Sequence, residues 1–435
     1  MKQAHNPPNH STIMAQFLPF RGLRYTSQTS LSAVICPPYD VIKGDARAQL
    51  MQRDPHNIVA VELAAPYGET ATPDQYQDSA DLLSQWISEG ILARDDSSYY
   101  LYEQEFAVPG TTETVKRRGV IGSLTLEEFG EGVQPHEHTM SGPKADRLNL
   151  LRATQANISP IFGLVVDDDA WISLLLESVA VTPPDGVATD GEGIVHRLWK
   201  ITDDETVNGI EAGFDNENIL IADGHHRYET ALNYMREERE KAGDSWTGAE
   251  AANGVMMMCV SMADPGLIVL PTHRLIKNVE PAQVAALPES LKQSFDVEPL
   301  EGGAAAITKA LSGEGGAAKL GLHLPGQSYL LTQHEANAQS ALEALDVSVL
   351  HGSILENELG IDADKLAAGE HVGYTIHAAE AIEKVEAGEA QVAFLMRATP
   401  AKQVAKVAAS GEKMPQKSTY FYPKLMTGLV LRPLN

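Results

Sequence analysis

The chain has 435 residues, 43% hydrophobic and 21% charged, enough for more than one hydrophobic core, and it is expected to fold as two domains. Its 33 basic residues against 59 acidic ones give a formal net charge of −26, which argues against a broad nucleic-acid surface or an anionic membrane face and favours a small ligand for any local basic pocket. The two cysteines, Cys36 and Cys259, exclude a disulfide scaffold or a cysteine zinc knuckle and fit a reduced cytoplasm.

Residues 1–13 read as a flexible tail without an apolar signal core, and no run reaches the ~18 apolar residues needed to cross a bilayer. An N-terminal α/β domain is expected over 14–170 and a C-terminal one over 171–435. In residues 16–25, Arg21 precedes Gly22, where a tight turn would hold a guanidinium out. Residues 33–35 read as a strand running into Cys36-Pro37-Pro38-Tyr39-Asp40. The two prolines fix φ and stop sheet pairing, so Tyr39 and Asp40 are delivered from a rigid loop; the plainer alternative has Asp40 capping a helix near residues 46–53. Residues 58–63 read as a strand with Glu62 near its carboxyl end, the end where open α/β sheets gather ligands. Residues 74–91 show a helical apolar stripe of Tyr76, Ala80, Leu83 and Ile87. Residues 99–106 and 118–126 read as a hairpin around Pro109-Gly110.

Residues 134–163 concentrate polar chemistry. His136 and His138 lie two apart, unlike the i, i+4 spacing of helical zinc sites. His136, Thr139, Lys144 and Arg147 are candidate carboxylate or anion contacts, with a helix starting after Ser141-Gly142-Pro143. Residues 157–166 follow as a buried strand.

In residues 218–239, NILIADGHHRYETALNYMREER, a short apolar run breaks at Asp223-Gly224, after which Tyr228, Ala231, Leu232 and Met235 repeat at helical spacing. Asp223 is expected as N-cap, placing Gly224, His225 and His226 in a first turn whose amides lack helical partners. Such a turn attracts anions; Gly224 allows close approach and Arg227 adds a charge-assisted contact. The plainer reading is a capped helix with two partly exposed histidines. Residues 256–261 and 267–270 read as paired strands, the second ending in Thr272-His273-Arg274, where His273 and Arg274 are candidate substrate contacts. Residues 346–359 read as a helix bearing His351. Near the C-terminus, Lys417 and Ser418 stand beside Thr419 and the aromatics 420–422, as phosphate contacts or as an edge strand guarded by lysine.

Taken together, PFRGLRY, CPPYDVI, PHE-H-T, DRL-LL, ADGHHRYETAL, LPTHRL and MPQKSTYFYPK resemble the domain-of-unknown-function 1015 family over almost the whole chain. The strand-DGHHR-helix element is similar to the phosphate-gripping element of ParB-like folds, a group that includes free-serine kinases making O-phosphoserine. The resemblance implies an α/β (or α+β) fold of mixed sheets with flanking helices. It implies phosphate cradling by Gly224, His225, His226 and Arg227, and metal or hydroxyl positioning by Asp223.

The expected function is a small-molecule kinase acting on a hydroxyl, best matched by free L-serine. Mg²⁺ is expected, with ATP, ADP or pyrophosphate as donor, since no Walker or protein-kinase glycine loop is present. Asp223, Asp40 or Glu62 would be the base. The alternatives are a metal-dependent hydrolase using His136, His138, His225 and His226, and a non-catalytic nucleotide-binding regulator. The expected partner is a small-molecule substrate, with no nucleic acid and no membrane, and homo-oligomerisation is left open.

Overall fold

A computed structural model describes residues 15–137, 141–167, 169–215, 217–313, 315–334 and 338–435. The tail expected over 1–13, His138 and Thr139 lie outside the described residues. The chain divides into two compact units, one within Met1–Gln134, Met140–Gly266 and Leu425–Asn435, the other within Pro135–Thr139 and Leu267–Lys424. The seam expected near residue 170 falls inside the first unit, because Ile161–Val165 hydrogen-bonds to Ile219–Asp223 and Gly254–Ser261.

Among its described residues the first unit is built on a mixed nine-stranded sheet. Its order runs Val133–Gln134, Ile219–Asp223, Ile161–Val165, Gly254–Ser261, Thr114–Thr125, Tyr99–Ala107, Val195–Ile201, Gly186–Thr189, with Phe17–Leu18 also paired to Thr114–Thr125. The expected hairpin forms its centre, longer than read. Gly254–Ser261, GVMMMCVS, is buried at every position, as a strand covered on both faces must be. Tyr228, Ala231, Leu232 and Met235 of the helix His225–Ala242 join one core with Ile161, Val165, Ile219, Ile221 and Met257. Full burial of such large apolar side chains stabilises by about 1.5–3 kcal/mol each. The helix Ser141–Thr154 runs beside His225–Ala242, tied by Lys144 to Glu229 at 2.5 Å and Arg152 to Glu237 at 2.9 Å.

Two expected strands are helices instead. Residues 33–35 overlap the turn Leu31–Val34, and residues 58–63 fold as the buried helix Val59–Glu62. A four-residue apolar run does not separate strand from buried helix; here a side chain decides. Asn57 Oδ1 accepts the Val59 amide at 3.0 Å, while its Nδ2 donates to the Ala33 carbonyl at 2.7 Å and the Ile35 carbonyl at 3.1 Å. The 46–53 helix forms as Ala46–Arg53, and the helix expected over 74–91 as Pro73–Ser88, started by a capping box at Thr72 and Gln75; its buried face holds Tyr76, Ala80 and Leu83 as expected, but Trp86 in place of Ile87, which is exposed.

Among its described residues the second unit holds an antiparallel six-stranded sheet in the order Phe295–Pro299, Gln327–Gln333, Lys319–Leu324, Val392–Leu395, His273–Ile276, Val372–Thr375. Gly303–Ala310 and Ala378–Glu386 lend Ile307, Ala381 and Val385 to its core with Leu275 and Leu395. Ile268–Leu270 pairs with Tyr420–Tyr422, not with Gly254–Ser261 as expected, because both edges of that strand are taken by Thr114–Thr125 and Ile161–Val165. Asp346–Val349 continues into a π-helical turn, Leu350–Glu356, which carries His351. The protein is thus of the α/β class, with a mixed sheet in the first unit, an antiparallel one in the second, and flanking helices.

Candidate functional site

The strand Ile219–Asp223 ends in a register shift against Ile161–Val165, and the chain turns at Gly224 with φ +96° and ψ 26°. That left-handed conformation disfavours side-chain-bearing residues. Gly224, not Asp223, is the N-cap, and it has no side chain to cap with. Asp223 remains the last strand residue, so its carboxylate is used differently: Oδ2 accepts Arg227 Nη2 at 3.0 Å, one helical turn on. Arg227 Nη1 donates to the Pro160 carbonyl. The arginine is thereby held over the turn, so close that a Cβ on Gly224 would meet its Nε and Nη2 at 3.0 Å. His225 is buried; Gly224, His226 and Arg227 are only half-buried, so the corner is not sealed.

A second arginine stands in the same unit. Arg147, 6% exposed on the helix Ser141–Thr154, donates through Nη1 to the Glu62 backbone carbonyl at 2.9 Å, and the same nitrogen lies 3.4 Å from Glu62 Oε1. Its Nε and Nη2 reach Asp146 Oδ2 at 2.9 and 2.6 Å, and its guanidinium lies 4.4 Å from the centroid of the Tyr39 ring. Asp146 in turn accepts the Tyr76 hydroxyl at 2.7 Å. Glu62, 2% exposed, also accepts the Ser159 hydroxyl at 3.2 Å. Glu62, Arg147, Ser159, Arg227 and Thr230 line one cavity of about 50 Å³.

Burial raises the Glu62 carboxyl above the usual range, with Arg147, Arg227 and Ser159 pulling it back. Burial also pushes the Tyr39 phenol up to about 12, against the opposing fields of Arg147 and Arg227; Asp40 and Asp223 act on it as well. Tyr39, Asp40, Glu62, Arg147, Asp223 and Arg227 are therefore one electrostatic neighbourhood, although Asp40 itself is exposed on the short turn Tyr39–Val41.

The remaining candidates are placed otherwise. Arg21 is exposed and donates to the Asp95 carbonyl at 3.3 Å, and Lys144 makes the helix-to-helix ion pair described above. In the second unit, His136 Nε2 lies 3.0 Å from Thr419 Oγ1. His273 Nδ1 accepts the Met396 amide at 3.0 Å, and burial holds its imidazole down at about 4. Ser418 Oγ donates to the Pro415 carbonyl at 2.5 Å, and exposed Lys417 turns with φ +57°. Arg274 donates to the Thr272 and Lys417 carbonyls. The sequence reading gave no weight to Ser159, Thr230 or the Pro160 carbonyl; only Thr230, three residues after Arg227, stood at a helical spacing that could have flagged it. Among the described residues no three His, Cys, Asp or Glu side chains group as metal ligands, and no helix is long and apolar enough to cross a membrane.

The fold and site define an α/β protein with an arginine-rich strand-to-helix corner. The chain belongs to the DUF1015 family of proteins of unknown function, whose model matches residues 17–348. No curated protein matches the chain. Among solved structures it is similar to a free serine kinase in complex with AMP, at 14% identity and TM-score 0.35 over 72% of this chain and 91% of that one. A variant form of a free serine kinase in complex with ADP matches at 16% identity and TM-score 0.37, over the same shares. SbnI with a C-terminal truncation, from Staphylococcus aureus, matches at 8% identity and TM-score 0.33, over 72% of this chain and 87% of that one.

Proposed function

We propose that this protein is a small-molecule kinase that transfers a phosphoryl group to a hydroxyl, with free L-serine as acceptor and O-phosphoserine as product. The observation that carries the reading is the company Tyr39 keeps: Arg147, Arg227, Asp40 and Asp223 act on one phenol, and Glu62 lines a cavity with both arginines. Phosphoryl transfer asks mainly for positioning and for neutralisation of charge, which such a set provides. The choice of serine follows the resemblance of the Asp223–Arg227 element to that of free-serine kinases.

In this reading Arg227 and the first-turn amides at Gly224, His225 and His226 hold the donor's phosphate, as helix N-termini favour anions. Glu62 takes the proton of the acceptor hydroxyl, its raised pKa bringing it towards the working pH. The hydroxyl oxygen forms the new bond to phosphorus as the donor's bridging P–O bond breaks, and the electron pair leaves with the departing phosphate. Tyr39, Asp40 and Arg147 border the acceptor. Asp223, 23% exposed at its side chain, suits Mg²⁺, which is held by one or two carboxylates together with donor phosphates and which would neutralise the developing charge.

The test is a labelled-donor assay with ATP, ADP and pyrophosphate, each with Mg²⁺, across amino acids and polyols. O-phosphoserine is the expected product; no phosphorylated product from any donor would sink the proposal.

A further inference from the structure

Arg274 lies on His273–Ile276, between the strands Val392–Leu395 and Val372–Thr375 of the second unit, directly opposite Tyr374 on one side and Phe394 on the other. It is 1% exposed. Its Nη2 donates to the Lys417 carbonyl at 3.1 Å, its Nη1 donates to the Thr272 carbonyl, and the guanidinium lies 5.8 Å from the Tyr374 ring centroid. Among the described residues no carboxylate forms an ion pair with it, and its Nε donates to nothing. Glu137 acts on it through its field alone.

Four more buried polar side-chain atoms in this unit make no hydrogen bond: Thr272 Oγ1, Ser348 Oγ, His351 Nε2 and His371 Nδ1; of these, Thr272 and His351 are the two linked to Arg274. Thr272 is two residues before Arg274 and accepts a hydrogen bond from it through its backbone carbonyl. Arg274 is also the charge that acts on His351, which burial already holds neutral at about 3. Buried guanidinium groups are almost always matched by an anion, because desolvating the charge without one is costly. Arg274, Thr272 and His351 have one chemistry in common: each can donate to an oxygen that only accepts.

We infer that Arg274, Thr272 and His351 form an anion-binding site within the second unit, taking a carboxylate or phosphate group of a small molecule. The Nε and a free Nη hydrogen present the guanidinium's edge to such a group, while the Thr272 hydroxyl and the His351 imidazole supply further hydrogen bonds. The inference stands apart from phosphate binding at Arg227 in the first unit and does not depend on it.

The experiment is a thermal-unfolding titration of the full chain with inorganic phosphate and, separately, acetate, at ionic strength held constant with chloride. A saturable rise in the midpoint is expected with at least one oxyanion. It should be retained in Arg227→Met and, in that background, lost on adding Arg274→Met and weakened at least tenfold in apparent affinity on adding Thr272→Val. A response to phosphate alone assigns a phosphate-bearing ligand; a response to both assigns any small oxyanion. No rise beyond the chloride control in Arg227→Met, or an undiminished rise when Arg274→Met is added to that variant, overturns the site. Should Arg274→Met fail to fold, unchanged affinity in Thr272→Val overturns it. Loss of kinase turnover in Arg227→Met would leave this result untouched, so the two readings fail separately.

Discussion

One nitrogen of Arg147, Nη1, reaches both the backbone carbonyl of Glu62, at 2.9 Å, and that residue's carboxylate, at 3.4 Å. The arginine thus ties down the short helix that carries Glu62 and offsets its buried charge. Removing one partner strands the other in a low dielectric. Arg147→Met should cost about 3–5 kcal/mol and Glu62→Gln about 1–3 kcal/mol. In a double-mutant cycle read by chemical denaturation the combined loss should fall well short of the sum. Simple additivity would show that the two do not act as a pair.

Gly224→Ala puts a methyl where the backbone has φ +96° and where Arg227 stands 3.0 Å away. A cost of about 1–2 kcal/mol is expected from the left-handed conformation alone. Because the same methyl displaces Arg227, phosphate affinity measured by calorimetry should fall more than the folding midpoint does.

Asp223→Asn keeps the shape of the turn but weakens the grip on Arg227 and removes a carboxylate. Under the kinase reading, turnover should fall by about 100-fold or more, some 2.7 kcal/mol of barrier, with circular dichroism unchanged, and wild-type turnover should stop on chelation with EDTA. Full turnover in Asp223→Asn would remove Asp223 from the chemistry.

Acid should weaken the fold through His273. Its imidazole titrates at about 4 in the native state against an ordinary 6.5, so on acidification the unfolded chain takes up its proton first. The stability it contributes is present above pH 6.5 and is lost between pH 6.5 and about 4, amounting to about 3 kcal/mol. His273→Asn, which keeps an acceptor for the Met396 amide but does not titrate, should lose less stability between pH 7 and pH 4 than wild type, as read from urea midpoints.

Cys36 and Cys259 are fully buried, and burial pushes both thiols well up from their ordinary value. A thiol reagent at pH 8 should therefore modify neither in the native protein and both after denaturation. Rapid native labelling of Cys36 would show that the loop through Tyr39 opens.

The elements that came through from the sequence are those whose pattern is complete within themselves. The stripe Tyr228, Ala231, Leu232, Met235 and the hairpin about Pro109-Gly110 each carry enough local signal to define a helix or a turn. Residues 58–63 did not, because a short apolar run suits strand and buried helix alike, and the Asn57 side chain that settles it reaches back to Ala33 and Ile35. The N-cap was misplaced by one residue for a related reason: the sequence offers Asp223 as a capping side chain, while Arg227 and the Pro160 carbonyl draw the local geometry elsewhere.

Read alone, the amino-acid order determined the family, the α/β character and the strand-to-helix corner at Gly224, since these depend on motifs and periodicities a few residues long. Only the folded chain decided that Glu62 meets Arg147, 85 residues away, beside Tyr39, and that Arg274 is buried without an ion pair among the described residues. Such meetings are set by which apolar faces bury against each other across long loops, and no local pattern encodes that choice.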